Sequence, residues 1–134
     1  MKRSDVDIFE KLSGQIISFY DEISVLSKKS PNDAINVFKL KLINKVLVEA
    51  NAFLDARYRP FEDFAEFNPD DLPQNSDVVF ILSQYLQCFE KCRSDNVAVY
   101  LGVWQWQLTP EKGEKPMDNG FVYLRTTKPK NLRD

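Results

Sequence analysis

Histidine and cysteine perform most nucleophilic, acid–base and zinc chemistry in proteins, so they are the first residues to consider. The chain has no histidine and two cysteines, Cys88 and Cys92. Without histidine there is no Ser-His-Asp triad, no Cys-His pair and no His-assisted zinc site. The two thiols are four residues apart on a predicted helix, where their side chains run parallel and cannot easily form a disulfide. We interpret both as structural residues, and the sequence predicts no catalytic residue, metal site or cofactor.

Carboxylates are the next candidates, and they concentrate in a segment that also carries three regularly spaced phenylalanines. The candidate acidic docking segment comprises Glu62, Asp63, Glu66, Asp70 and Asp71. A calcium site needs six or more oxygen ligands, and the EF-hand spacing is absent. Phe61, Phe64 and Phe67 recur every three residues among these acids. We therefore interpret the segment as a solvated connection anchored by its rings, with one short helical turn over 60–67. A docking surface for a basic partner and a cation or catalytic site are the alternatives.

Aromatic residues near the C-terminus form a second candidate surface. Its members are Val99, Tyr100, Trp104, Trp106, Tyr123 and Arg125. Alternation over 97–108 predicts one strand with Tyr100, Trp104 and Trp106 on the same side. We expect Tyr123, on a returning strand, to share that side and Arg125 to stack on a tryptophan. The opposite side is apolar too, so either the hairpin is clamped between the helices and the Phe-rich segment or, as we favour, a second copy of the chain completes the sheet.

The helices that position these residues follow from the spacing of apolar side chains. A repeat of three and four residues predicts helices over about 5–29, 31–56 and 76–94. Ser30 is a good N-cap, and Pro31 suits the first position of the second helix. That helix carries two apolar stripes, so we expect it to be central and to pack on both of its neighbours. A polar break near residue 30 makes the first two helices an antiparallel hairpin.

The pattern of elements predicts an α+β fold: a three-helix unit with a C-terminal antiparallel β-hairpin over about 97–108 and 120–126. A length of 134 residues indicates a single domain over 1–134. The last part, 127–134, contains Lys128, Lys130 and Arg133 and is predicted to be a flexible basic tail.

Overall charge and the absence of targeting signals narrow the function class. Eighteen basic against twenty acidic residues give a net charge of −2, so no general attraction to nucleic acid or anionic lipid is expected. The N-terminus lacks a signal-peptide pattern and no stretch reaches transmembrane length, which favours a cytoplasmic protein without membrane contact. We expect a small non-catalytic protein-interaction or regulatory module, acting as a homo-oligomer, specifically a homodimer, or as a subunit of a larger assembly. The alternative is a nucleic-acid-binding accessory protein that uses the strand aromatics and the basic tail.

Overall fold

Three α-helices are followed by a three-stranded antiparallel sheet in the computed structural model, which describes residues 1–130. The elements are α1 (Arg3–Lys29), α2 (Val37–Tyr58), α3 (Asn75–Ser94), β1 (Val97–Tyr100), β2 (Val103–Leu108) and β3 (Val122–Arg125). The predicted α+β class, with a helical unit preceding a C-terminal hairpin, is confirmed.

The core lies among the three helices and extends onto the sheet. Phe9 of α1 makes edge-to-face contacts with Phe89 of α3 and with Trp106 of β2, at ring-centroid distances of 5.3 and 5.1 Å. Leu108 and Val122 complete the buried side of the sheet. The second helix packs on both α1 and α3, as its two apolar stripes predicted, although the most extensive helix contact is the one between α1 and α3.

The second helix begins six residues later than predicted, at Val37 instead of residue 31. Asn36 is its N-cap and accepts a hydrogen bond from Lys39 N–H at 3.0 Å, whereas Ser30 ends α1. Residues 31–35 form a turn followed by an isolated bridge between Ala34 and Gln74, so their backbone pairs with the start of α3. The Asp33 carbonyl accepts a hydrogen bond from Asn75 N–H, and the Pro31 carbonyl accepts one from Ser76 N–H. Both N–H groups belong to the first turn of α3, where a helix leaves them without an intrahelical partner.

The connection from α2 to α3 runs back along α2 and contains no helical turn over 60–67. Its only helical piece is a 3-10 turn, Pro69–Asp71, so the predicted position was wrong. Two buried asparagines on α2, Asn44 and Asn51, bond to the backbone of this segment. Spaced two helical turns apart, they face the same side of α2. These side-chain bonds hold the irregular connection against α2.

The predicted strand over 97–108 is two strands joined by a tight turn at Leu101 and Gly102. Both turn residues have positive φ, 52° and 80°, as a two-residue type I′ hairpin requires. Tyr100 pairs with Val103 across this turn, and β3 pairs with the other edge of β2. The sheet order is β1-β2-β3, so β1 and β3 are both edge strands.

Residues 126–130, which we call the C-terminal strap, are held to α3 by Arg93 and Glu90. Arg93 is only 6% exposed and donates to Thr126 Oγ1, Thr127 O and Lys128 O. Glu90 accepts from Lys130 N–H at 2.8 Å. The predicted flexible tail is therefore held over 127–130, and its remainder, 131–134, lies outside the described residues.

Helix length and polarity bear on membrane insertion. Across residues 1–130, none of the helices combines the length and the apolar character needed to cross a bilayer.

Candidate interaction surface

The hairpin of β1 and β2 extends beyond the helices and ends in an apolar tip. Val99 pairs directly with Trp104, and the turn residue Leu101 follows one position after β1. Val99 is 58% exposed and Leu101 is 83% exposed, while Trp104 is partly buried. We call these three residues the hairpin tip. It presents a contiguous apolar surface that the helices do not cover.

The register places the six predicted surface residues on two different faces. Val99, Trp104 and Trp106 lie on the helix-facing side, because β2 residues 104, 106 and 108 alternate with 103, 105 and 107. Tyr100, Tyr123 and Arg125 lie on the other side. The prediction that Tyr100 and Tyr123 share a face with the tryptophans was wrong. The chain reverses at residues 101 and 102, which places β1 beside β2. A single alternation over 97–108 therefore does not describe which side chains share a face.

Trp106 belongs to the core and not to any surface. Its side chain is 1% exposed and packs edge-to-face on Phe9. Its indole N–H is buried without a hydrogen-bond partner in the part of the chain that the structure describes. Trp106 therefore cannot stack on a ligand without unfolding of the hairpin.

The outer face of the sheet carries a stacked tyrosine pair. Tyr100 and Tyr123 reach across β2 from the two edge strands, and their rings stack at 3.9 Å with an angle of 5° between planes. The Tyr123 hydroxyl accepts from Asn119 Nδ2 at 2.7 Å. Arg125 is opposite Gln105 on this face, so it does not lie on Trp104 or Trp106 as expected. The pair ties β1 to β3, and its ring faces are occupied by each other.

The acidic docking segment does not form one site. Glu62 and Asp63 lie in a turn at one end of the connection, whereas Asp70 and Asp71 lie in the 3-10 turn near the start of α2. Glu66 lies between them, and all five side chains are exposed. Phe64 and Phe67 pack against the core, as expected for anchors, whereas Phe61, the third predicted anchor, does not. Within residues 1–130, no group of three or more His, Cys, Asp or Glu side chains could hold a metal ion.

The thiols face the interior of the molecule. Cys92 is buried, and that burial raises its pKa to about 11. Burial also raises the pKa of Cys88. Because a thiolate is the reactive form of cysteine, both residues are protonated and unreactive near neutral pH.

A cleft of about 520 Å³ next to Cys92 contains the most unusual backbone in the helices. Asp55 has φ 59° and ψ −175° inside α2, and its carboxylate accepts from Ala56 N–H at 2.7 Å. On the opposite wall, Asp95 accepts from Lys91 at 3.0 Å and from Tyr58 at 2.8 Å. These two hydrogen bonds, with Lys91 the stronger cause, hold the pKa of Asp95 below its usual value. The Asp95 carboxylate is thus engaged in holding the ends of α2 and α3 together.

Two features of the surface escaped the sequence interpretation. The first is the turn at Leu101 and Gly102, whose only signal is a lone glycine where Asn-Gly is the usual pattern. The second is the exposed start of α2, where Val37 and Phe38 are 69% and 70% exposed. Phe38 belongs to one of the two apolar stripes that predicted packing on neighbouring helices, and an apolar stripe cannot by itself distinguish a core contact from an exposed patch.

Replacing Leu101 with Asn is expected to raise the free energy of unfolding by about 1 kcal/mol, because Asn tolerates positive φ and leucine does not. Urea unfolding in dilute solution measures the change. Leu101→Ala is the matched control, since it removes the same exposed apolar side chain without relieving the backbone. An equal gain from both variants would contradict the assignment of strain to this position.

The chain was also compared with known proteins. No protein-family model, no curated protein and no solved structure matches it.

Proposed function

We propose that the protein is a small non-catalytic interaction or regulatory module of the cytoplasm, and that it associates with a second copy of itself through β1. The observation that carries this proposal is the uncovered edge of the sheet. Pairing occupies one side of β1, and in residues 1–130 no strand pairs with its other side. Natural edge strands are usually protected by lysine, proline or a bulge, yet no charged residue occurs between positions 96 and 110.

The geometry of β1 suits pairing with its own copy. Gln107 N–H donates to Asn96 O at 2.8 Å, so the backbone groups of Val97 and Val99 point away from β2. An antiparallel β1–β1 contact would use these groups around a two-fold axis perpendicular to the sheet. Residues that pair share a face, so Val99 of each copy would continue the same apolar side. Two sheets of three strands would become one of six.

The nucleic-acid alternative has less support. Single-strand binding needs exposed aromatic rings next to basic side chains. Trp106 is buried, the faces of Tyr100 and Tyr123 cover each other, and Arg125 is on the opposite face from Trp104. Binding of a single-stranded oligonucleotide that weakens steeply as salt increases would favour this alternative over the proposed function.

The test is the average mass at sedimentation equilibrium over micromolar concentrations. Val99→Glu places a charge at the proposed contact and is expected to weaken association at least tenfold. Val25→Glu is the matched control, because Val25 on α1 is 54% exposed against 58% for Val99. The control is expected to retain the average mass of the unmodified chain.

Amide hydrogen exchange gives an independent measurement of the same contact. The N–H groups of Val97 and Val99 are expected to exchange more slowly as protein concentration rises, because the contact would bury and pair them. A monomer at every concentration, or a Val99→Glu variant that associates as well as the unmodified chain, would contradict the proposal.

A further inference from the structure

Four large apolar side chains lie exposed together where α2 begins, and we call them the helix-end patch. They are Val37, Phe38, Leu42 and Leu72, with exposed fractions of 69, 70, 43 and 65%. Phe38 and Leu42 are one helical turn apart. Ile35 N–H donates to Pro73 O at 2.8 Å, which holds the neighbouring Leu72 near the start of α2. Exposed apolar residues that occur singly are normal, whereas a contiguous group indicates an interaction site.

The backbone conformation of Leu72 is energetically unfavourable in the isolated chain. This residue has φ 51° and ψ 58°, in the left-handed region that disfavours leucine. Its side chain is largely exposed, so it gains little burial in return. Within residues 1–130 its packing does not account for its conformation, and a contact outside the chain would supply the missing burial.

A groove next to the patch separates charges of opposite sign. It has a volume of about 390 Å³ and lies between α2 and the connection to α3. Lys41 and Lys45 line one wall, while Glu66 lines the other, next to Phe67 and Pro69. Asp70 and Asp71 follow Pro69 and are exposed. None of these five charges has an ion-pair partner among residues 1–130.

We propose that the helix-end patch binds the same patch of a second copy around a two-fold axis. In such a contact each surface meets itself, so it must contain complementary features. The Lys41 and Lys45 wall of one copy would face Glu66 and Asp70 of the other, and the reverse contact forms at the same time. Phe38 of each copy would enter the other's groove, which covers Val37 and Leu72.

The charge arrangement favours a second copy over the other occupants. An anionic lipid surface or a nucleic acid would be attracted by Lys41 and Lys45 but repelled by Glu66, Asp70 and Asp71. A surface with both signs in separate rows needs a partner with the same two rows. This chain carries that partner surface on itself.

This contact and the proposed β1 contact are at opposite ends of the molecule. The helix-end patch lies where α1 ends and α3 begins, a corner fixed by Asn75 Nδ2 donating to Ser30 O at 3.0 Å. The sheet follows the other end of α3. If both contacts form, each copy joins two others and the assembly extends as an open chain. That extension rests on the proposed function, whereas the helix-end contact does not.

The experiment uses sedimentation of the full chain with each contact blocked separately. Lys41→Glu with Lys45→Glu reverses one wall, and Val99→Glu blocks β1. The unmodified chain is expected to form species larger than a dimer, each blocked form a dimer, and the combined form a monomer. Lys11→Glu with Lys112→Glu is the matched control, because both lysines are exposed and the charge change is equal. This control is expected to assemble like the unmodified chain.

Charge exchange tests the pairing directly in the Val99→Glu background. Glu66→Lys with Asp70→Lys is expected to give a monomer, as is Lys41→Glu with Lys45→Glu. Mixing these two forms is expected to restore the dimer, since every repulsive contact becomes attractive. Thermal melts establish that the separate forms remain folded.

The two proposals fail in different ways. A Val99→Glu variant that is only monomeric, or a mixture that does not associate, would overturn the helix-end contact. A Lys41→Glu, Lys45→Glu variant that is only monomeric while Val99→Glu remains a dimer would overturn the β1 contact instead.

Discussion

Replacing Asn51 with Ala is expected to lower the free energy of unfolding by about 3 kcal/mol, because one buried and two partly buried polar groups lose their partner. Asn51 is 8% exposed. Its Nδ2 donates to Phe64 O at 3.4 Å and to Ala65 O at 2.9 Å, and its Oδ1 accepts from Tyr85 O–H at 2.6 Å. One side chain therefore joins α2, α3 and the connection between them. Urea unfolding measures the change.

Two controls distinguish the effect of losing these hydrogen bonds from the effect of shortening a side chain. Tyr85→Phe removes one hydrogen bond and leaves the connection in place, so a loss of about 1 kcal/mol is expected. Asn32→Ala makes the same chemical change at an exposed position and is expected to alter stability by less than about 0.5 kcal/mol. If Asn51→Ala costs no more than Tyr85→Phe, the bonds from Asn51 to the connection contribute nothing.

Replacing Arg93 with Met is expected to cost about 3 kcal/mol and to free the C-terminal strap, because the partly buried Glu90 carboxylate and the oxygen acceptors of the strap lose their shared donor. The Arg93 Nη2 lies 2.9 Å from Glu90 Oε2, and the two side chains are 7% and 22% exposed. Nη1 also donates to Thr127 Oγ1 at 3.1 Å. Methionine retains the apolar stem and loses every one of these donors.

Limited proteolysis alongside urea unfolding distinguishes a local from a global effect. In Arg93→Met, cleavage within 126–130 is expected before cleavage within the helices. Arg93→Lys keeps the charge but not the planar fork that reaches both Glu90 and the strap, so it is expected to be cleaved nearly as readily. A strap that stays resistant in Arg93→Met would show that other contacts hold it.

The predicted helices agree with the structure where the local signal has no competitor. The spacing of Leu12, Ile16 and Ile23 in α1 matches their burial, because a helix 27 residues long must bury one stripe. For α2 the local signal at Ser30 and Pro31 was misleading. The N–H groups at the start of α3 bond to the carbonyls of Pro31 and Asp33. These bonds form in place of the first predicted turns of α2.

Which residues share a face of the candidate surface depends on a turn whose only sequence signal is Gly102. Once Leu101 and Gly102 reverse the chain, Val99 is opposite Trp104, and Tyr100 comes onto the same face as Tyr123. Alternation predicts that neighbouring residues of a strand face opposite ways, but not where the strand ends. The prediction that 97–108 is apolar on both sides was wrong, because Val99 lies on the same side as Trp104 and Trp106, while the other side carries Gln105 and Gln107. The two predicted apolar sets come together on one face only because the chain reverses at Leu101.

From the sequence alone, the presence of three helices before a C-terminal antiparallel pairing, the α+β class and the lack of histidine-based chemistry could be predicted, since each depends on local spacing or on composition. The tertiary structure decided which apolar residues are covered: Trp106 is in the core, while Phe38, Leu72 and Leu101 are exposed. It also decided that Asn44, Asn51 and Arg93 hold the connection and the strap. The physical reason is that a side chain's local pattern fixes its direction from its own helix or strand, whereas its burial depends on what distant segments bring against it.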